Sequence, residues 1–420
     1  MARVWMGVVS ALIIMVPGSV GAQPTPWPWS QPAVGPALSQ SKVMAELPPD
    51  IAPPVAAPDA PPALVALLGT WTGWMCPGAT CSTRLAIESV TATGAKLVFA
   101  VARDGAPGTW SRLDAAWQDG ELAGILRDGG RINLRPRADG YLDVLWRGES
   151  GTLPDSGLVY RDDGPVGRAL ARRENALVPL RIAGEPYRLE LTTYRPSRPG
   201  RLPLVVFNHG STGGVPAMTK VTFDSLSIAA FLVERGWAVA FPMRRGRGRS
   251  DGAYEEHYSC DPGALSSGLE RALTDLDAIV DHVRGLDWVD PERIVIGGTS
   301  RGGILSLAYA ARRPERTKAV LNFVGGWTSE FSGCHDFNRS VMAEAGARYK
   351  GPTLWIYGED DRFYSIAHSR ANFDAFRGAG GNGRFLVLQS LAPSRGHYLF
   401  PHLGWRAAAD ALLGEITAPR

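Results

Sequence analysis

Three short stretches of this 420-residue chain hold groups able to do nucleophilic chemistry. In RIVIGGTSRGG, Arg293 to Gly303, Ser300 fits the pattern Gly-x-Ser-x-Gly. A serine hydroxyl is a weak nucleophile near neutral pH and needs a neighbouring base. An imidazole base in turn needs a carboxylate to fix its tautomer and steady its positive charge. Both follow in the chain: TLWIYGEDDRF puts Glu359, Asp360 and Asp361 just past Gly358, and SRGHYLF supplies His397. An earlier stretch, NHGSTGG, is glycine-rich enough for backbone to approach a bound molecule closely. His209 within it competes with His397 as the base, but it precedes Ser300 and reads as a residue that steadies its own loop.

The elements around these residues decide whether they can act together. A β-branched run precedes Ser300 and an apolar-periodic helix follows it, the context in which a tight turn lifts a serine hydroxyl above a sheet. That turn also puts the Arg301 N–H at a helix N-terminus, where negative charge is stabilised. From about residue 172 onward, strands alternate with helices, and RLPLVVFNHG is apolar almost throughout, as in a strand covered on both faces. The pattern predicts a mostly parallel α/β sheet flanked by helices over residues 176–420, with the three carboxylates and His397 each on a loop after a later strand.

The N-terminal part has a different texture. Over residues 63–165, short period-two runs such as KLVFAVA and RINLRPR are separated by Gly/Asp turns, which predicts a small antiparallel β barrel or sandwich. Its opening GTWTGW resembles the first strand of a lipocalin-like barrel. Residues 23–62 are rich in Pro and Ala and read as a linker. Residues 1–22 combine Arg3, an apolar run from Val4 to Val16 and small residues up to Ala22, the pattern of a cleaved signal peptide, so the protein is expected to be periplasmic or secreted. The apolar run is too short for a comfortable membrane span, so none is expected after cleavage.

Export makes disulfides the expected state of the four cysteines. Four allow three pairings; the short spacing of Cys76 and Cys81 favours Cys76–Cys81 and Cys260–Cys334. No Cys/His grouping has zinc spacing, and neither a metal nor a cofactor is expected. With 44 basic against 41 acidic residues, composition gives no support for a nucleic-acid partner.

Residues from about 180 to 420 resemble the dienelactone hydrolase-like branch of the α/β-hydrolase superfamily, through VVFNHGSTGG, FPMRRGRGRSDG, GGTSRGG, VLNFVGGW, PTLWIYGEDDRF and GHYLF. The resemblance implies a triad of Ser300, Asp361 and His397, the acid lying three residues after the strand-ending glycine. It also implies an oxyanion hole made by the N–H groups of Arg301 and Ser211, with Thr212 as the alternative to Ser211. True dienelactone hydrolases carry a cysteine where this chain has Ser300, which favours ordinary carboxylic esters, small or polymer-linked, cleaved through an acyl-enzyme.

Arg244 and Arg245 are either a cationic rim for an anionic substrate group or part of a salt-bridged loop with Asp251, Glu255 and Glu256. Trp327 and Phe363 either line an acyl pocket or pack in the core. By the same resemblance, TSEFSGCHDFNRSVMAEAGARYK, between FVGGW and GPTLW, is expected to cap the site. Two other functions fit the motifs. One is a prolyl-oligopeptidase-like peptidase, although about 100 β residues are too few for the propeller usual there. The other is a protein that binds a ligand or envelope polymer on a hydrolase scaffold.

Overall fold

The computed structural model describes residues 44–76, 81–103, 108–148, 155–213, 219–256, 259–391 and 394–417. The expected signal peptide and the first part of the expected linker lie outside them. The described chain opens with a two-residue strand β1 (Val55–Ala56) and one helical turn, α1 (Pro62–Val65). Eight strands follow: β2 (Gly69–Met75), β3 (Cys81–Val90), β4 (Gly94–Ala102), β5 (Thr109–Gln118), β6 (Glu121–Ile125), β7 (Arg131–Pro136), β8 (Leu142–Arg147) and β9 (Asp155–Arg161). Each pairs antiparallel with the next, and β9 returns to β2, so the sheet closes. It is a barrel and not a sandwich. Alternate residues, among them Leu85, Ile87, Leu97, Leu113, Leu134 and Val144, point inward and fill it.

The end of the linker differs from the free tether its prolines suggest. The Ala45 N–H donates to Ser82 Oγ at 3.1 Å, that of Ala52 to Glu88 Oε1 at 3.0 Å, and β1 pairs parallel with β3. Prolines remove donors, but the N–H groups between them find acceptors on the barrel wall, and Ala45 is buried with Ala100 and Ala102.

After α2 (Pro165–Ala171) comes a second sheet: β10 (Glu174–Ile182), β11 (Glu185–Tyr194), β12 (Leu202–Asn208), β13 (Ala238–Pro242), β14 (Val289–Thr299), β15 (Val320–Phe323), β16 (Pro352–Gly358) and β17 (Asn382–Leu388). The order across it is β10-β11-β13-β12-β14-β15-β16-β17, antiparallel as far as β13 and parallel beyond. The helices are α3 (Leu226–Glu234), α4 (Pro262–Arg284), α5 (Arg301–Arg312), α6 (His335–Arg348), α7 (Ile366–Gly378) and α8 (Arg406–Thr417). All seven residues of β12 are buried, as the apolar run requires. The core of this sheet continues into the outer wall of the barrel, where Trp74, Leu158 and Tyr160 pack with Val166 and Leu170 of α2.

Most of the stretch expected to cap the site is the crossover helix α6, which packs against α5 and α7. Parallel β15 and β16 need such a crossover. What remains is the loop Thr328–Cys334 with a single 3-10 turn, Glu330–Ser332. Cys334 is bonded to Cys260 and Cys76 to Cys81. Among the described residues no helix is long and apolar enough to cross a membrane.

Candidate active site

Ser300 stands between β14 and α5 with φ 55° and ψ −122°, a strained conformation for a residue with a side chain. Its backbone is tied on both sides: the N–H donates to Phe323 O at 2.9 Å, and the carbonyl accepts from Gly326 N at 3.1 Å. The turn is possible because β14 and α5 meet without side chains. A Cβ on Gly302 would lie 2.2 Å from Asn208 O, so the pattern's last glycine is a packing requirement. Arg301 opens α5, where the first N–H groups have no intrahelical acceptor. The loop after β12 runs against Ser300: a Cβ on Gly210 would stand 3.1 Å from Ser300 Cβ. Ser211 is the next residue, and its Oγ accepts from Gly213 N at 3.3 Å.

Asp361 lies on the turn after β16 with its side chain fully buried. One oxygen, Oδ1, accepts the N–H groups of Phe363 at 2.7 Å and Tyr364 at 3.2 Å. The other, Oδ2, is 2.8 Å from His397 Nδ1. Of the three adjacent carboxylates, Asp361 is the one that meets the imidazole. Gly396 allows this approach, since a Cβ there would fall 1.9 Å from Glu359 O. An imidazole held at Nδ1 by a carboxylate leaves Nε2 to take a proton.

Tyr364, which the sequence motifs do not single out, links these groups. Its buried hydroxyl donates to Gly326 O at 2.8 Å, and its ring lies 5.7 Å from that of His397. Burial, followed by the nearby Asp361 charge, holds the phenol above its ordinary pKa, so it stays protonated.

Behind the loop that carries Gly210 lies a buried ionic cluster, and it includes Arg244 and Arg245. Arg244, 2% exposed, pairs with Glu256 and donates to His209 O at 3.0 Å; Arg245, 9% exposed, pairs with Asp275 of α4. Guanidiniums buried against carboxylates offer no rim to a substrate, so the salt-bridged alternative describes them. The Arg301 side chain also turns inward, to Trp327 O and Glu256 O, both at 2.9 Å. Trp327 is 1% exposed beneath that guanidinium and belongs to the core, so it is no pocket wall. Phe363 differs: it is 39% exposed and its ring centroid is 4.7 Å from that of His397. Among the described residues no three His, Cys, Asp or Glu side chains gather as a metal site.

His209 is not a second base. Its Nε2 accepts the Arg244 N–H at 3.2 Å while Nδ1 lies 2.8 Å from Gly210 O, so the ring is neutral with its proton on Nδ1. Burial, then the charges of Arg244 and Arg247, push its pKa well below 6.5. The unfolded chain therefore takes up a proton there before the folded one does. Stability should be complete above pH 6.5 and fall by about 1.4 kcal/mol per pH unit below it. His282 and His402, both lowered by burial, add to the slope. Denaturant titrations at pH 7.5 and 5.5 measure this, and equal stability at both would contradict it.

Sheet order, serine elbow and the paired His397 and Asp361 define an α/β hydrolase, and the chain belongs to that superfamily. The X-Pro dipeptidyl-peptidase (S15) family matches residues 184–349, less than half of the chain. A rice protein (Oryza sativa subsp. japonica), named a "probable inactive carboxylesterase", is 26% identical over 211 residues, 48% of this chain and 82% of its own. The quorum-quenching protein AidA of Acinetobacter baumannii is 29% identical over 170 residues, 40% of this chain; the chain spans 51% of its length. Among solved structures, an esterase of Pyrococcus furiosus superposes with a TM-score of 0.43 at 16% identity, covering 59% of this chain and 92% of that one.

Proposed function

We propose that the protein is an exported serine hydrolase that cleaves carboxylic esters through an acyl-enzyme on Ser300. The observation that carries this is the buried Asp361 carboxylate on His397 Nδ1, together with Ser300 on its strained elbow between β14 and α5. Ser300 Oγ attacks the ester carbonyl as its proton passes to His397 Nε2, and Asp361 stabilises the imidazolium. The Arg301 and Ser211 N–H groups hold the tetrahedral oxyanion, each worth about 3–4 kcal/mol of barrier. His397 then gives its proton to the departing alcohol, and water repeats the sequence to release the acid. Phe363, beside His397, supplies an apolar surface for the acyl group. The catalytic domain is residues 176–420, and residues 63–165 form the barrel module.

Relatives named as an esterase and a carboxylesterase favour the ester, whereas the S15 match favours a second reading, cleavage of peptides after proline. Parallel assays of p-nitrophenyl butyrate and an alanyl-proline p-nitroanilide separate the two. The ester should turn over with kcat/KM at least about 100-fold higher, nearly 3 kcal/mol of barrier. An anilide cleaved as fast as the ester would make the protein a peptidase.

A further inference from the structure

Ser300 follows β14 and Asp361 follows β16, so the chain leaving β15, which lies between those strands, runs between the two groups. That chain is strained. Val324 has φ 43°, where a β-branched side chain crowds its own backbone. Such a conformation persists only where the surroundings over-determine it. Here the backbone is held at successive residues. The Val324 N–H donates to Ile356 O at 2.8 Å, and two buried phenols take the next carbonyls. Tyr357 donates to Gly325 O and Tyr364 to Gly326 O, each at 2.8 Å.

Of the two phenols, Tyr364 reaches both halves of the site. Its own N–H donates to Asp361 Oδ1 at 3.2 Å. Its hydroxyl holds Gly326, whose N–H donates in turn to Ser300 O at 3.1 Å. The ring packs directly on that glycine: a Cβ on Gly326 would stand 2.5 Å from it. Gly326 is buried, so a carbonyl stripped of this donor finds no water in its place.

We propose that Tyr364 is a positioning residue, whose hydroxyl holds Gly326 and so keeps Ser300 aligned with the Asp361–His397 pair, a role that rests on Ser300 being the nucleophile. The phenol takes no part in bond making. Asp361 accepts the backbone N–H of residue 364, which phenylalanine also carries, so Tyr364→Phe leaves the acid and the imidazole as they are. It releases only the serine's side, and a small misplacement of a nucleophile is costly in rate.

Fluorophosphonate labelling and turnover of p-nitrophenyl butyrate by the full-length Tyr364→Phe protein test this. Labelling rate and kcat should each fall at least about 10-fold, KM should stay within about twofold, and the pH midpoint of kcat/KM should not move. Tyr349→Phe is the matched control. Its buried hydroxyl donates to Thr317 O at 3.2 Å, at the opposite end of β15, so its loss should lower the urea midpoint comparably and leave the rate unchanged. Gly326→Ala approaches the same link from the other side: its methyl displaces the ring with the hydroxyl still present, and kcat should fall in the same way. Wild-type labelling and turnover in Tyr364→Phe overturn the proposal. So does an equal fall in Tyr349→Phe, or a shifted pH midpoint, which would put the effect on His397. Wild-type protein that takes no label removes the nucleophile itself, and the role of Tyr364 with it.

Discussion

Ser300→Ala should lose at least about 10⁴-fold in kcat for short p-nitrophenyl esters, together with all labelling by fluorophosphonates, and should unfold at the wild-type denaturant midpoint. The catalytic loss is large because oxyanion donors and binding alone leave only a residual rate once the nucleophile is gone. The fold should survive because what holds the elbow is backbone. Ser300 N–H to Phe323 O and Gly326 N–H to Ser300 O need no hydroxyl, and alanine at φ 55° carries the same Cβ strain as serine. His397→Ala should cost nearly as much, and the double variant little more, because the groups act as a unit. A Ser300→Ala protein that still takes the label, or keeps more than about 1% of the rate, would put the nucleophile elsewhere.

The parts legible in the sequence are those governed by local backbone. The elbow shows because Gly302 must lack a Cβ against Asn208 O and because strand and helix patterns flank it. His397 shows through Gly396, which has to press on the turn after β16. Barrel strands show by alternation, but closure does not, since it depends on β9 finding β2 from far along the chain. Charge partners are hidden for the same reason. Of the carboxylates near the arginine loop, Asp251 goes to Arg188, Glu255 to Arg271 and Glu256 to Arg244, while Arg245 reaches Asp275 on α4. Only folding brings those pairs together. Helix α6 was obscured by composition: its buried positions include Met342, Ala345 and a glycine, Gly346, pressed on Phe376 O, so no strong apolar period marks it. Tyr364 had one signal, its position three residues past Asp361, on the turn whose N–H groups Asp361 Oδ1 accepts.

Glu256→Gln should destabilise the protein by about 3–5 kcal/mol, the largest loss expected from any single conservative change behind the site. Glu256 is 5% exposed and faces more positive charge than it can neutralise alone. Arg244 pairs with Oε1, Arg301 lies 3.7 Å from Oε2, Arg247 adds its field, and the Tyr254 hydroxyl donates to Oε2 at 3.3 Å. Burial works against the carboxylate's charge, yet Arg244, then Arg301 and Arg247, outweigh it and leave the pKa below its ordinary value. Glutamine keeps the volume and removes the charge, so buried guanidiniums are left without their counter-ion. The same arginines hold His209 and the Gly210 carbonyl, so the oxyanion loop should loosen and kcat should fall with stability. A second substitution makes the cause explicit. Arg244→Met in the Glu256→Gln background removes the stranded cation, and the double variant should be more stable than the sum of the two single losses by at least about 1 kcal/mol. Additive losses in urea titrations would mean that Glu256 acts through packing and not as the counter-ion of the cluster.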